Sequence, residues 1–110
     1  MDPRQERLTR NEALFRDTNE SVRAIAAAHG DDDHVYEFYC ECSNANCTFQ
    51  LQATLAEYEA VRAHPQRFLI RPEHVLPEIE TVVQQNANWW VVEKQGEAGE
   101  LAEDLDARSD

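Results

Sequence analysis

The sequence predicts a small α+β domain, in which a long N-terminal amphipathic helix precedes a small antiparallel sheet with a cysteine-bearing hairpin and one short helix. Two patterns indicate this class: a segment without helix breakers over about residues 4–28, and several short runs rich in β-branched and aromatic residues after it. A chain of 110 residues has room for one hydrophobic core, which excludes a multidomain protein.

The first predicted element is an amphipathic helix over about residues 4–28. Leu8, Phe15 and Val22 recur seven residues apart, with Leu14 and Ile25 nearby, which predicts an apolar stripe along the helix. We expect this stripe to pack on the protein's own core, although it could also pair with its copy in a homodimer.

A turn should follow the helix. Gly30 is suited to end the helix, and Asp31, Asp32 and Asp33 form a charged run after it. Three acids in a row could suggest calcium, but the spaced ligands, the glycine and the closing glutamate of a calcium loop are absent. We therefore predict a solvated loop.

A β-hairpin is predicted next. Residues 34–42 are dense in aromatic and β-branched side chains, and residues 47–54 alternate apolar and polar, with the polar break SNAN between them. The T-x-x-E pattern of Thr54 and Glu57 is a capping box, which predicts a helix from about Leu55 to Ala63.

The remaining pattern predicts further strands and a tail. The run RFLIR at 67–71 reads as a strand that Pro72 closes, whereas residues 79–85 fit both helix and strand spacing. We favour a strand there, with residues 86–88 as the turn into the β-prone run that ends at Lys94. Residues 95–110 contain six acids, two glycines and two leucines, so we predict a domain over 1–94 and a flexible acidic tail over 95–110.

The charge balance restricts the partners. Ten Lys and Arg face 22 Asp and Glu, a formal net charge of -12. This charge argues against a direct nucleic-acid or membrane surface and favours a basic protein partner. The first ten residues contain no apolar signal region, and no window has the apolar length of a membrane span, so we expect a cytoplasmic protein.

Three cysteines lie within eight positions. They are Cys40, Cys42 and Cys47, and the chain has no others. A disulfide scaffold needs an even number of cysteines in an oxidising compartment. Side chains two apart in extended backbone share one face, and the turn at 43–46 can return Cys47 to the other two sulfurs. Structural zinc sites are closed tetrahedra of thiolates and imidazoles, so the cluster indicates Zn²⁺ and requires a fourth ligand.

Four histidines are candidates for that ligand. His74 is our first choice, because Pro72 and Pro77 restrict its loop and can direct the imidazole toward the hairpin tip. His64, at a helix end, is the second choice. His34 lies about 20 Å of extended chain before Cys40, which is too far, and His29 is the remaining candidate.

The C-x-C-x4-C spacing is less specific than paired CxxC knuckles, so unliganded thiols and a redox, iron–sulfur or catalytic role remain open. A catalytic zinc needs an open position and a carboxylate or histidine nearby. Glu41 and Glu73 flank the predicted ligands, but we interpret them as solvated strand and turn residues. The chain has no H-x-E or H-E-x-x-H frame. These observations predict no catalytic residue and favour a protein that is not an enzyme.

Five segments, spread over about residues 10–103, carry a family resemblance: RNEALFRDTNE, CEC-x4-CT, LAEYEAVRAHPQRF, PEH and VVEKQGEAGE. Together they resemble a group of short, uncharacterised zinc-binding-like proteins of high-GC Gram-positive (actinobacterial) bacteria. The resemblance implies four metal ligands: Cys40, Cys42, Cys47 and His74. The chain departs from the group at Ser43 and Glu73, where its members often have glycine, and this affects the expected turn geometry.

Three functional hypotheses follow. The leading one is a small acidic cytosolic protein with a structural zinc, acting as a protein–protein interaction or regulatory module and possessing a helix suited to homodimerisation. The second is an acidic regulator that mimics nucleic-acid charge and binds a basic transcription or nucleic-acid-processing protein. The third is a thiol-based redox or metal sensor, or an enzyme.

Overall fold

The computed structural model describes residues 1–30 and 33–108. Asp31 and Asp32 of the predicted loop and residues 109–110 of the predicted tail lie outside the described residues. The elements are α1 (Pro3–His29), β1 (Val35–Tyr39), β2 (Gln50–Thr54), α2 (Leu55–Arg62), β3 (Arg67–Ile70), β4 (Glu80–Gln85), β5 (Trp90–Lys94) and α3 (Gly96–Asp104). The predicted α+β class, with a long N-terminal helix and antiparallel strands, is confirmed.

Helix α1 has well-defined ends. The Asp2 carboxylate accepts the backbone N–H of Gln5 at 2.8 Å, and Pro3 occupies the first turn, where its missing N–H is harmless. At the other end Gly30 has a φ of 76°, the left-handed conformation that terminates helices. The predicted helix over about residues 4–28 and its glycine stop are confirmed.

The face that α1 buries is mostly polar, contrary to the expectation from its apolar stripe. Its fully buried residues are Thr9, Glu12, Ala13, Arg16, Asn19 and Ala26. Val22 packs against the core, but Leu14 and Ile25 are exposed. The physical reason is hydrogen bonding: Arg16 donates to the carbonyls of Pro65 and Ala102, two groups that a leucine would leave unpaired.

A buried charged triad also attaches α1 to the strands. The Lys94 ammonium lies 2.8 Å from the Glu80 carboxylate and contacts the Glu12 carboxylate, and all three side chains are almost completely buried. Burial raises the pKa of Glu12 well above its usual range, and the nearby Glu80 raises it further. The triad therefore places two acids and one base in the interior.

Strands β1 and β2 form the predicted antiparallel hairpin, with Val35 opposite Thr54 and Tyr39 opposite Gln50. The three other strands form a second antiparallel sheet in the order β3-β5-β4, so the single predicted sheet is in fact two sheets. Residues 80–85 are a strand, as we favoured, and the ladder shifts register between Val82 and Gln84. The backbone N–H of Glu41 donates to Leu69 of β3 at 2.7 Å and connects the two sheets.

Helix α2 begins at the predicted capping box, in which Thr54 and Glu57 bond each other's backbone N–H. The prediction of a flexible tail from residue 95 is wrong over 96–104, which form helix α3. This helix buries Ala98, Gly99 and Ala102. Small residues on one side allow it to lie close to the rest of the fold, and that packing overrides its acidic composition.

Among the described residues, no helix combines the length and apolar character that crossing a membrane requires.

Candidate metal centre

The structure brings all four predicted ligands together. The sulfurs of Cys40, Cys42 and Cys47 and a ring nitrogen of His74 lie within 4.8 Å of one another. Cys40 and Cys42 are buried, whereas Cys47 and His74 are partly buried. Residues from two separate loops, one between β1 and β2 and one between β3 and β4, therefore form one cluster.

Two of the six distances between these atoms match the spacing in a tetrahedral zinc site. The Nδ1 atom of His74 lies 3.5 Å from the Cys40 sulfur and 3.8 Å from the Cys47 sulfur. With Zn–S bonds of about 2.3 Å and Zn–N bonds of about 2.0 Å, ligand atoms at the corners of a tetrahedron are about 3.5–3.8 Å apart. The donor set of three thiols and one imidazole is one that structural zinc sites use.

The first loop is shaped by side-chain and backbone hydrogen bonds. The N–H of Cys47 donates to the carbonyl of Asn44 at 3.0 Å, and the Asn44 side chain accepts the N–H of Asn46 at 2.9 Å. Asn11 of α1 donates to the carbonyl of Ser43 at 3.0 Å. These contacts close the predicted turn at 43–46 and hold it against α1.

His74 is held by the second loop and by an aromatic neighbour. Its backbone N–H donates to the carbonyl of Arg71 at 3.0 Å, and its ring packs edge-to-face with the ring of Phe49 at a centroid distance of 5.4 Å. Glu73 directly before it has a φ of 75°, a left-handed conformation that is strained for a residue with a Cβ. A glycine at this position would relieve that strain, because it has no Cβ.

Backbone N–H groups favour the thiolate form of all three cysteines. The N–H of Arg71 donates to the Cys40 sulfur at 3.1 Å, while the backbone N–H groups of Asn44 and Phe49 act to lower the pKa of Cys42 and Cys47. Such donors stabilise the negative charge of metal-bound thiolates and orient them.

The three thiols influence one another's ionisation. The hydrogen bond from the Cys40 thiol lowers the pKa of Cys42 to about 5, and the same bond, together with burial, raises the pKa of Cys40. Burial also raises the pKa of Cys47. Since a metal ion binds thiolates, loading the site with metal must release protons from the sulfurs.

Our interpretation of Glu41 as a solvated strand residue is wrong, because its side chain is completely buried. One carboxylate oxygen accepts the N–H of Leu69 at 2.9 Å; the other accepts the amide of Asn19 at 2.8 Å and the hydroxyl of Tyr58 at 2.7 Å. The sequence could have indicated this burial, because side chains alternate in direction along the extended C-E-C segment. If the sulfurs of Cys40 and Cys42 face the predicted metal site, the side chain of Glu41 must point to the opposite side. Glu41 thus anchors the ligand loop to α1, α2 and β3.

The other histidines lie elsewhere. His64, our second choice, is exposed at the end of α2, where its N–H donates to Val61 at 3.2 Å, and it does not belong to the cluster. His29 and His34 pack around Tyr36 near the start of β1, whereas the cysteines follow the end of that strand. Within residues 1–30 and 33–108, only His74 joins the three cysteines in a metal-type cluster.

Four donors around one point can complete the coordination of a tetrahedral ion without substrate or water. The sequence alone missed the supporting residues Arg71, Asn11 and Asn19, because their roles depend on contacts between distant segments.

Comparison of the chain with models of protein families, with curated proteins and with solved structures finds no match.

Proposed function

We propose that this protein binds one structural Zn²⁺ through the sulfurs of Cys40, Cys42 and Cys47 and the Nδ1 atom of His74. The observation that carries the proposal is the convergence of these four atoms within 4.8 Å. The ion would join the β1–β2 loop to the β3–β4 loop and so stabilise the two sheets relative to each other. Its binding free energy would contribute directly to folding.

A zinc ion with four protein ligands has no open position for a substrate, which favours a structural role over a catalytic one. Three thiolates also leave the bound ion with a local charge of -1 and make it a weak Lewis acid. We therefore propose a zinc-stabilised binding module whose surface, rather than its metal, contacts other proteins. The net charge of -12 favours partners with a basic surface.

Metal analysis tests the first part of the proposal. Native mass spectrometry of protein purified without added metal should show one zinc per chain, lost on denaturation. His74→Ala should reduce zinc retention, whereas His64→Ala is the matched control, because His64 is exposed and outside the cluster. A folded, metal-free wild type, or equal zinc retention in the two variants, would refute the proposed ligand set.

The closed geometry can be tested with Co²⁺ in place of zinc. The visible spectrum should show tetrahedral cobalt with thiolate charge-transfer bands, and added azide should leave it unchanged. A spectrum that changes with azide would demonstrate an open position and favour the catalytic or sensor hypothesis instead.

A further inference from the structure

Helix α1 presents an exposed seam on the side away from the core. Leu14 and Ile25 are 65% and 69% exposed, and Thr18 and Ser21 lie between them on the same face. The intervals 14–18–21–25 are four, three and four residues, which is the spacing of the contact positions in a two-helix coiled coil. The buried face of α1 is already used, so this seam has no partner within the described part of the chain.

A groove beside Leu14 has the form that helix pairing requires. It has a volume of about 200 Å³ and is lined by Asn11, Leu14, Phe15, Thr18 and Ala45. The four helical residues stand at positions i, i+3, i+4 and i+7, the diamond that receives one side chain of a facing helix in knobs-into-holes packing. The groove therefore accepts a single apolar side chain.

The seam is complementary to itself. Read along α1 it is large, small, small, large: Leu14, Thr18, Ser21 and Ile25. If two copies pair antiparallel about a two-fold axis midway along this seam, Leu14 lies opposite Ile25 of the second copy, and Thr18 lies opposite Ser21. The small central pair permits close approach, and Ile25 of the second copy then enters the groove beside Leu14.

The residues flanking the seam also fit a second copy, despite the net charge of -12. In this register the exposed parts of Phe15 and Val22, which are both partly buried in the monomer, face each other across the pair and extend the apolar contact. Asp17 faces Ala24, so its charge meets no other acid across the seam. Arg10 reaches the C-terminal turn of the second helix, where the helix dipole favours a positive charge.

The contact between the two helices is small, which favours a weak complex. Residues 11–28 of α1 span about 27 Å, and a helix pair of this length buries about 1,000 Å² in total. This area is at the lower limit for a specific complex. We propose that the protein forms an antiparallel homodimer through α1 with a dissociation constant in the micromolar range.

Sedimentation velocity of the zinc-loaded chain over about 1–300 µM tests the pairing. Wild type should shift from monomer to dimer, and Ile25→Glu should raise the dissociation constant about 100-fold or abolish the dimer. Val83→Glu is the matched control, because Val83 is also an exposed apolar residue, 40% exposed, but lies on β4. It should dimerise as wild type does.

The orientation can be tested with a pair of charged variants. Leu14→Glu and Ile25→Lys should each be monomeric, and an equimolar mixture should form a heterodimer, because the antiparallel register places the new glutamate opposite the new lysine. A parallel pair would not bring these positions together, so no rescue would be seen.

Three results would overturn the proposal: a wild type that stays monomeric over the whole range, an Ile25→Glu variant that dimerises normally, or a mixture that is not rescued. Zinc content should remain one per chain in every variant, because the seam lies outside the metal cluster. Failure of the dimer proposal is therefore distinguishable from failure of the zinc proposal.

Discussion

The buried carboxylate of Glu41 allows a direct test of how the loop that carries Cys40, Cys42 and Cys47 is held. We consider replacing it with glutamine or with alanine. The side chain is completely buried and accepts hydrogen bonds from Leu69, Asn19 and Tyr58. Glutamine keeps one oxygen for the Leu69 N–H but turns an amide toward the other two donors. Alanine removes every acceptor.

The structure sets the expected magnitudes. A buried hydrogen bond to a charged acceptor contributes about 1.5–3 kcal/mol, and a buried donor left unpaired costs about 1–3 kcal/mol. Part of this loss is offset because burying the Glu41 carboxylate is itself unfavourable, as the raised pKa of this group shows. We expect the free energy of unfolding to fall by about 2 kcal/mol for Glu41→Gln and by about 4 kcal/mol for Glu41→Ala.

Urea unfolding with saturating zinc measures these losses, and competition with a chelator measures zinc affinity. Because Glu41 lies between two of the proposed ligands, Glu41→Ala should also weaken zinc binding by about 10–100-fold, as loss of an outer-shell contact does in other metal sites. Glu37→Gln is the matched control, since Glu37 is exposed on β1 and should change neither quantity.

The affinity measurement separates positioning of the ligands from general stability. If Glu41→Ala lowered stability but left zinc affinity at the wild-type value, Glu41 would not position the cysteine loop. If Glu41→Gln were as stable as wild type, the three hydrogen bonds would not be the source of the anchoring.

Further predictions concern the loop, the last helix and the buried triad. Glu73→Gly should raise the free energy of unfolding by about 0.5–1 kcal/mol in urea titrations, because it relieves a positive φ. Gly99→Ala should lower it by about 1–3 kcal/mol, since the new Cβ would lie 2.8 Å from the Lys94 carbonyl oxygen; an unchanged midpoint would contradict tight packing of α3. Lys94→Met should cost about 3–5 kcal/mol at neutral pH, as it leaves Glu12 and Glu80 buried without a cation. The raised pKa of Glu12 means that the folded state holds its proton more tightly, so wild-type stability should fall as pH rises above the ordinary value of 4.5. Glu12→Gln should remove that component from stability measured across pH, and an unchanged slope would contradict it.

Local patterns predicted most of the elements. The capping box at Thr54, the glycine stop at Gly30 and the β-prone runs all depend on contacts within a few residues, which a sequence displays directly. The convergence of the three sulfurs was also predictable from their short spacing, and the loop held between prolines made His74 the first choice, ahead of His64, for the fourth ligand.

Other features could not be predicted in this way. Helix α3 forms in a segment whose composition suggested a flexible tail, because its small residues pack against the rest of the fold. Likewise, the polar face of α1 is buried because Arg16 and Asn19 meet carbonyl groups that lie far along the chain. The local sequence shows neither the surface on which α3 packs nor the carbonyl groups that bond Arg16 and Asn19.

The sequence by itself determined the element order and the cysteine and histidine residues that could hold a metal, since these follow from backbone propensity, side-chain periodicity and donor chemistry. Only the tertiary structure decided which side of α1 is buried, which groups bond the Glu41 carboxylate and which histidine joins the sulfurs. Burial of a polar group is favourable only when a partner at the right distance satisfies it, and that distance exists only after distant segments have packed together.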